Sequence, residues 1–168
     1  PTGVGRNRFY RSEEEYLSAV GDALREEYRA IVDAGLILQV DDPWLTEVHS
    51  QDPNLNPAER RKIAEVSVEA LNHAIRGIPA EKIRFHTCYG INEGPRIHDA
   101  PLKEIVDLIL KVNAGAYAFE AANARHEHEY RVWEDFKLPE GKILIPGVIT
   151  HCSNIVEHPE LIAERIIR

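Results

Sequence analysis

The strongest constraint on this chain is a repeating order of short apolar, β-rich runs and longer segments with helical period. "LILQV", "IRFHTC", "AYAFE" and "KILIPGVI" read as four strands. A helical pattern follows each: "NPAERRKIAEVSVEALNHAIRG", "PLKEIVDLILKVNAG", "HEHEYRVWEDF" and "EHPELIAERIIR". One more helix leads the series, "SEEEYLSAVGDALREEYRAIVDAG". Its start is marked by Ser12 as N-cap with Glu15 three positions on, the spacing of a capping box. Tyr16, Val20, Leu24, Tyr28 and Ile31 hold one face, and Gly35 is placed to end it. Pro57 and Pro101 stand early in the next two helices, and Gly77 and Gly115 close them. Strands alternating with helices imply parallel strands joined by right-handed crossovers. Two α/β architectures satisfy that: an open doubly wound sheet, or part of a (β/α)8 TIM barrel. A whole barrel takes about 250 residues, and this chain has 168.

Composition narrows the function classes. Apolar residues make up 43% and charged residues 29%, which suits a globular domain with a real core. The net charge of −8 and the lack of a Lys/Arg run argue against nucleic acid as a partner. "AERRKIAE" reads as a solvated helix face of mixed sign. No stretch approaches the roughly 18 consecutive apolar residues of a membrane span, and "PTGVGRNRFY" has no apolar signal region. No G-x-G-x-x-G follows a strand, so the main dinucleotide-binding cue is missing. There is no Met, and the expectation is that Pro1 lies inside a longer gene product. Two cysteines do not make a disulfide framework, so the expected setting is reducing and cytoplasmic.

The polar residues collect at the strand ends. Asp41 and Asp42 follow the first strand, His86 and Cys88 end the second, Glu120 ends the third, and Thr150, His151 and Cys152 follow the fourth. In parallel α/β folds the carboxyl ends of the strands carry the site. His86 and Cys88 are two apart and share a strand face. On spacing alone they are either half of a zinc site or a buried thiol beside a core histidine. The set as a whole favours a site, because ionisable groups are rarely buried without a partner.

Four segments carry a resemblance to the catalytic barrel of the cobalamin-independent methionine synthase family. They are "LQVDDPWLTE", "FHTCYG", "AYAFEAANAR" and "IPGVITHCSNIVEHPELIAERI", and their order and spacing match from about Ser12 to the chain end. "NEGPRIHDAPL" and "FEAANARHEHE" look closest to a branch of smaller single-barrel members that includes the zinc-dependent epoxyalkane:coenzyme M transferases. The resemblance implies that residues 1–168 form one partial TIM-barrel domain holding strands four to seven of the barrel. It implies His86 and Cys88 as zinc ligands and Glu120 as the carboxylate that binds zinc when no thiol substrate is present. It also implies Asp41 as the group holding the amino group of homocysteine, and Glu47 as a folate contact. Two departures stand out. The family's last zinc-binding cysteine belongs to a strand past this chain's end, and Cys152 lies one strand too early to be it. The family's proton-donating histidine aligns with Cys152, with the candidate His151 beside it. Neighbours on a strand face opposite ways, so His151 would need a bulge to take that place.

The function implied is a zinc-dependent thiol alkyltransferase, moving a methyl group from 5-methyltetrahydrofolate or a related donor to homocysteine. Two alternatives remain open: transfer from an epoxide to a thiol of the coenzyme M type, and a non-catalytic half-barrel that self-associates through exposed sheet edges. The chain alone is expected to be inactive unless another chain completes the site. Arg84, Arg96 and Arg125 are available for a sulfonate but read as surface charges. His126 and His128 have strand-ligand spacing inside an expected helix; His49, His73, His98 and His158 read as surface or loop residues.

Overall fold

The computed structural model describes residues 7–51, 54–90, 97 and 99–168, with the side chains of 48–51 left out. His49, Arg96 and His98 therefore lie outside the described side chains. The elements in chain order are α1 (Glu13–Asp33), β1 (Leu38–Asp41), α2 (Trp44–Gln51), α3 (Pro57–Ala74), β2 (Ile83–Thr87), α4 (Leu102–Ile109), β3 (Ala116–Glu120), α5 (Val132–Asp135), β4 (Ile143–Gly147) and α6 (Pro159–Ile167). The strands form one parallel sheet in the order β1-β2-β3-β4.

Local chemistry accounts for the ends. Ser12 caps α1 by accepting from the Glu15 N–H, while the Glu15 carboxylate takes the Arg11 N–H rather than completing the box at Ser12. The complete capping box is at α3, where Asn56 accepts from the Ala58 and Glu59 N–H groups and Glu59 accepts from the Asn56 N–H. Gly35 and Gly77 end their helices with φ of 82° and 84°, conformations that side chains rarely adopt. Gly115 has another role. Its N–H pairs with the Ile83 carbonyl, and a Cβ there would fall 2.7 Å from the Ala80 carbonyl oxygen. Two elements differ from the sequence reading. "HEHEYRVWEDF" splits into a 3-10 turn (Glu127–Arg131) and the single-turn α5, and α2 rises directly after "DDP". Asp42 makes that possible: its carboxylate accepts from the Trp44 and Leu45 N–H groups and caps α2.

The sheet has one buried and one open face. Leu38, Val40, Ile83, Phe85, Tyr117 and Phe119 point into a core completed by Ala64 and Val68 of α3 and by Leu102, Ile105, Val106 and Ile109 of α4. Each fully buried aromatic or aliphatic side chain there contributes about 1.5–3 kcal/mol. Alternate positions lie on the other face, and the register aligns them in rows. One row is Gln39, Arg84, Ala116 and Ile143; the next is Asp41, His86, Ala118 and Ile145. Ile143 keeps 60% of its surface accessible. A doubly wound sheet reverses its strand order and covers both faces. Here the order runs one way and one face is packed, which is compatible with a segment of a barrel. Among the described residues no helix is long and apolar enough to cross a membrane.

Candidate functional site

Apart from Arg84, the ionisable groups of the open face lie at the carboxyl ends of the strands. Asp41 is the last residue of β1 and registers with His86 on β2, whose Nδ1 lies 3.0 Å from Asp41 Oδ1. The same carboxylate oxygen accepts from Gln39 Nε2 at 2.8 Å. Cys88 follows the end of β2. Its carbonyl accepts a hydrogen bond from Thr46 Oγ1 at the start of α2, which ties that helix to the strand end. Burial raises the Cys88 thiol pKa and the Gly90 N–H lowers it; the Glu120, Asp41 and Glu47 carboxylates push it further up. Glu47 reaches across to Gly90, where a Cβ would fall 2.2 Å from its Oε1.

Glu120, the last residue of β3, is the buried centre of the site, with 9% of its surface accessible. Its Oε1 accepts from Asn123 Nδ2 and, at 3.2 Å, from the Cys152 thiol. Its Oε2 is buried with no hydrogen-bond partner. His151 Nδ1 lies 3.9 Å from Glu120 Oε1, and His151 Nε2 lies 3.9 Å from Cys152 Sγ. β4 ends at Gly147, so His151 and Cys152 sit in a loop where the alternation of strand faces does not apply. Both turn toward Glu120 without a bulge. Glu157 holds this loop: its Oε2 accepts from the Thr150 N–H at 2.8 Å and its Oε1 from Arg165 Nη1 at 2.6 Å. The Thr150 N–H and then Arg165 keep the Glu157 carboxyl below the ordinary carboxylate range. Arg165 also donates to the Val148 carbonyl.

Glu120, His151 and Cys152 are the one group of three metal-ligating side chains that converges among the described residues, with donor atoms all within 4.8 Å of one another. The donors are a carboxylate, an imidazole and a thiol, a mixture that suits zinc and similar soft divalent ions. The unpartnered Glu120 oxygen fits a site meant for a cation. Of the candidates read from sequence, Glu120 and His151 are brought together, and His86 turns to Asp41. Asn123 is an addition; the sequence places Cys152 in the strand-end set and aligns it with the proton-donor position, but not as a contact of Glu120. Their signal was present in "EAANARHEHE" and "ITHCSN", but it depended on loop conformations.

His126 is not available as a ligand. It is 4% exposed, with Nδ1 2.8 Å from Glu129 Oε2 and Nε2 2.9 Å from Asp99 Oδ2. Its ring stacks on Tyr89 with centroids 3.6 Å apart. Glu129 also accepts from the Leu102 N–H, so the network reaches the start of α4. Burial pushes the Glu129 carboxyl up, but hydrogen bonds from His126, the Leu102 N–H and Tyr89 bring it below its ordinary value. Asn123 joins this network to the site, accepting the Arg125 and His126 N–H groups while donating to Glu120. Arg84 and Arg125 are exposed, and Arg125 Nε lies 3.4 Å from Asp99.

No family model matches this chain. Methionine synthases of Saccharolobus islandicus and Saccharolobus solfataricus are each 32% identical to it over 85 residues. That match covers 50% of this chain and 22% of theirs, so the chain corresponds to about a fifth of the length of these curated relatives. The similarity makes the chain a distant relative of methionine synthases.

Proposed function

We propose that this chain carries part of the active site of a zinc-dependent thiol alkyltransferase on a (β/α)8 TIM barrel, of which it supplies strands four to seven. The proposed reaction is methyl transfer from 5-methyltetrahydrofolate or a related donor to homocysteine. The observation that carries the reading is the open face. Asp41 and His86 share one row of it, Glu120 ends β3 on the same face, and Cys88 follows the end of β2. The similarity to methionine synthases supports the same chemistry.

The reaction needs a thiolate, because a thiol is a poor nucleophile. His86, Cys88 and Glu120 are the residues proposed to hold zinc, which when bound supplies the positive charge that favours thiolate over thiol. Asp41 is exposed at the strand end and would accept hydrogen bonds from the substrate ammonium. Glu47, beside Gly90, would contact the methyl donor. The new sulfur–carbon bond forms as the carbon–nitrogen bond of the donor breaks. His151, with 52% of its side chain accessible, would deliver a proton to the departing nitrogen.

Zinc content and native mass, measured on one sample, test this reading. About one zinc per chain, reduced in His86→Ala and Cys88→Ser, is expected. Zinc content indifferent to both substitutions overturns it. A second reading, a non-catalytic half-barrel that self-associates, draws on the open apolar positions Ile143 and Ile145. It predicts a stable mass of two chains with no zinc.

A further inference from the structure

We propose that Cys152 is a thiolate ligand, binding a soft divalent cation together with Glu120 and His151. The proposal rests on the metal-dependent reading of this face and extends it to two residues outside the expected ligand set, Cys152 and His151, the second of which would then bind the ion rather than deliver the proton.

Donor spacing comes first. Four-coordinate zinc holds sulfur at about 2.3 Å and nitrogen or oxygen at about 2.0 Å, which sets tetrahedral donors about 3.3–3.6 Å apart. The sulfur–oxygen separation between Cys152 and Glu120 is 3.2 Å; His151 lies 3.9 Å from Glu120 through Nδ1 and 3.9 Å from Cys152 through Nε2, and one ligand atom from each of the three residues lies within 4.8 Å of the other two. A rotation of the exposed His151 ring spans the difference.

The second observation is independent. Glu120 is nine-tenths buried, and its Oε2 has no hydrogen-bond partner, so a lone pair is left facing no donor. A buried carboxylate oxygen in that state is costly unless a cation completes it.

The third is the proton. The Cys152 thiol donates to Glu120 Oε1, so a proton now lies between a soft donor and a carboxylate. A metal ion would replace it and release one proton to solvent for each ion bound. Asn123 holds the Glu120 carboxylate in place, as an outer partner of a metal ligand does. A cleft of about 520 Å³, lined by Asn123, His126, Thr150 and Cys152 among others, gives an ion access. Three protein donors leave a fourth position open, the arrangement of catalytic rather than structural sites.

Cobalt(II) titration of the purified 168-residue chain tests the proposal, because sulfur-to-cobalt charge-transfer absorption reports thiolate ligands. The proteins compared are the wild type, Cys152→Ser, Cys88→Ser, Cys152→Ala and His151→Ala, each checked for fold by circular dichroism. The expected result is a band that loses half or more of its intensity in Cys152→Ser. A full band in Cys152→Ser overturns the proposal, and its loss in Cys88→Ser would leave the wider metal reading standing. A band lost in Cys152→Ser and intact in Cys88→Ser supports the proposal and removes Cys88 from the ligand set. No band in the wild type overturns both. If Cys152→Ser fails to fold, Cys152→Ala and His151→Ala, which leave the other proposed zinc ligands in place, decide: cobalt affinity at least tenfold weaker supports the site, and unchanged affinity overturns it.

Discussion

Replacing His126 with Phe should destabilise the chain by about 3 kcal/mol while leaving the Glu120 cluster assembled. Phe is larger than histidine and can keep the stack on Tyr89, so no cavity term enters and any overpacking adds to the loss. What disappears is a pair of hydrogen bonds, 2.8 Å to Glu129 and 2.9 Å to Asp99. Bonds to charged groups are worth about 1.5–3 kcal/mol each, which bounds the loss at about 3–6 kcal/mol. The lower end applies because neither carboxylate is stranded. Glu129 keeps the Leu102 N–H at 2.8 Å and the Tyr89 hydroxyl at 3.3 Å, and Asp99 keeps Arg125. For a domain of this size, 3 kcal/mol lowers the melting temperature by about 6–12 °C. Thermal unfolding followed by circular dichroism reads this directly, and urea unfolding should give a lower midpoint with an unchanged slope. The backbone N–H of residue 126 still reaches Asn123, so cobalt binding at Glu120 should survive. A drop smaller than about 2 °C would refute the bridging role assigned to the ring.

Gly90→Ala should cost about 1–3 kcal/mol, because φ there is 75° and a side chain is strained whatever the space around it. The same substitution in a Glu47→Ala background should retain most of that loss in urea unfolding; full recovery would mean that the contact with Glu47, not the backbone, sets the cost. Glu129 should add an acid-side dependence to stability. Its folded pKa lies below the ordinary 4.5, so its contribution is complete above that value and fades as pH falls through the lowered one. Urea midpoints across about pH 3–6 should therefore fall more steeply for the wild type than for Glu129→Gln, and parallel curves would show that this carboxyl is not involved.

The fold was legible where side-chain period reflects burial. "AYAFE" alternates because Tyr117 and Phe119 enter the core while Ala116 and Ala118 face out, and the observed strand has those bounds. The choice between a doubly wound sheet and a barrel segment was not legible, because it depends on which face each crossover covers. The rows of the open face are compatible with a barrel segment: Arg84 and His86 alternate with Ile83 and Phe85 on one strand, and only the latter two belong to the core. α2 was hidden for a different reason. Its start depends on the Asp42 carboxylate folding back onto two N–H groups, a contact of three residues with no period to detect.

The site divides along the same line. Asp41, His86 and Glu120 lie on strands, where alternation and register place all three on the open face. His151 and Cys152 lie past Gly147, where parity stops carrying information. Strand logic allowed only one of the two to face the site. The loop allows both, because the turn is set by Glu157 and Arg165, held from α6 and the approach to it. The "VEHPELIAER" segment thus has a physical role besides starting a helix: its Glu and Arg fix the backbone that aims Cys152 at Glu120. It follows that the metal binding proposed for this face would depend on α6. Arg165→Met, which touches no proposed ligand, should weaken cobalt binding through the loop while leaving the β1–β3 register intact. If cobalt affinity is unchanged in that variant, the orientation of Cys152 is set by something other than this ion pair.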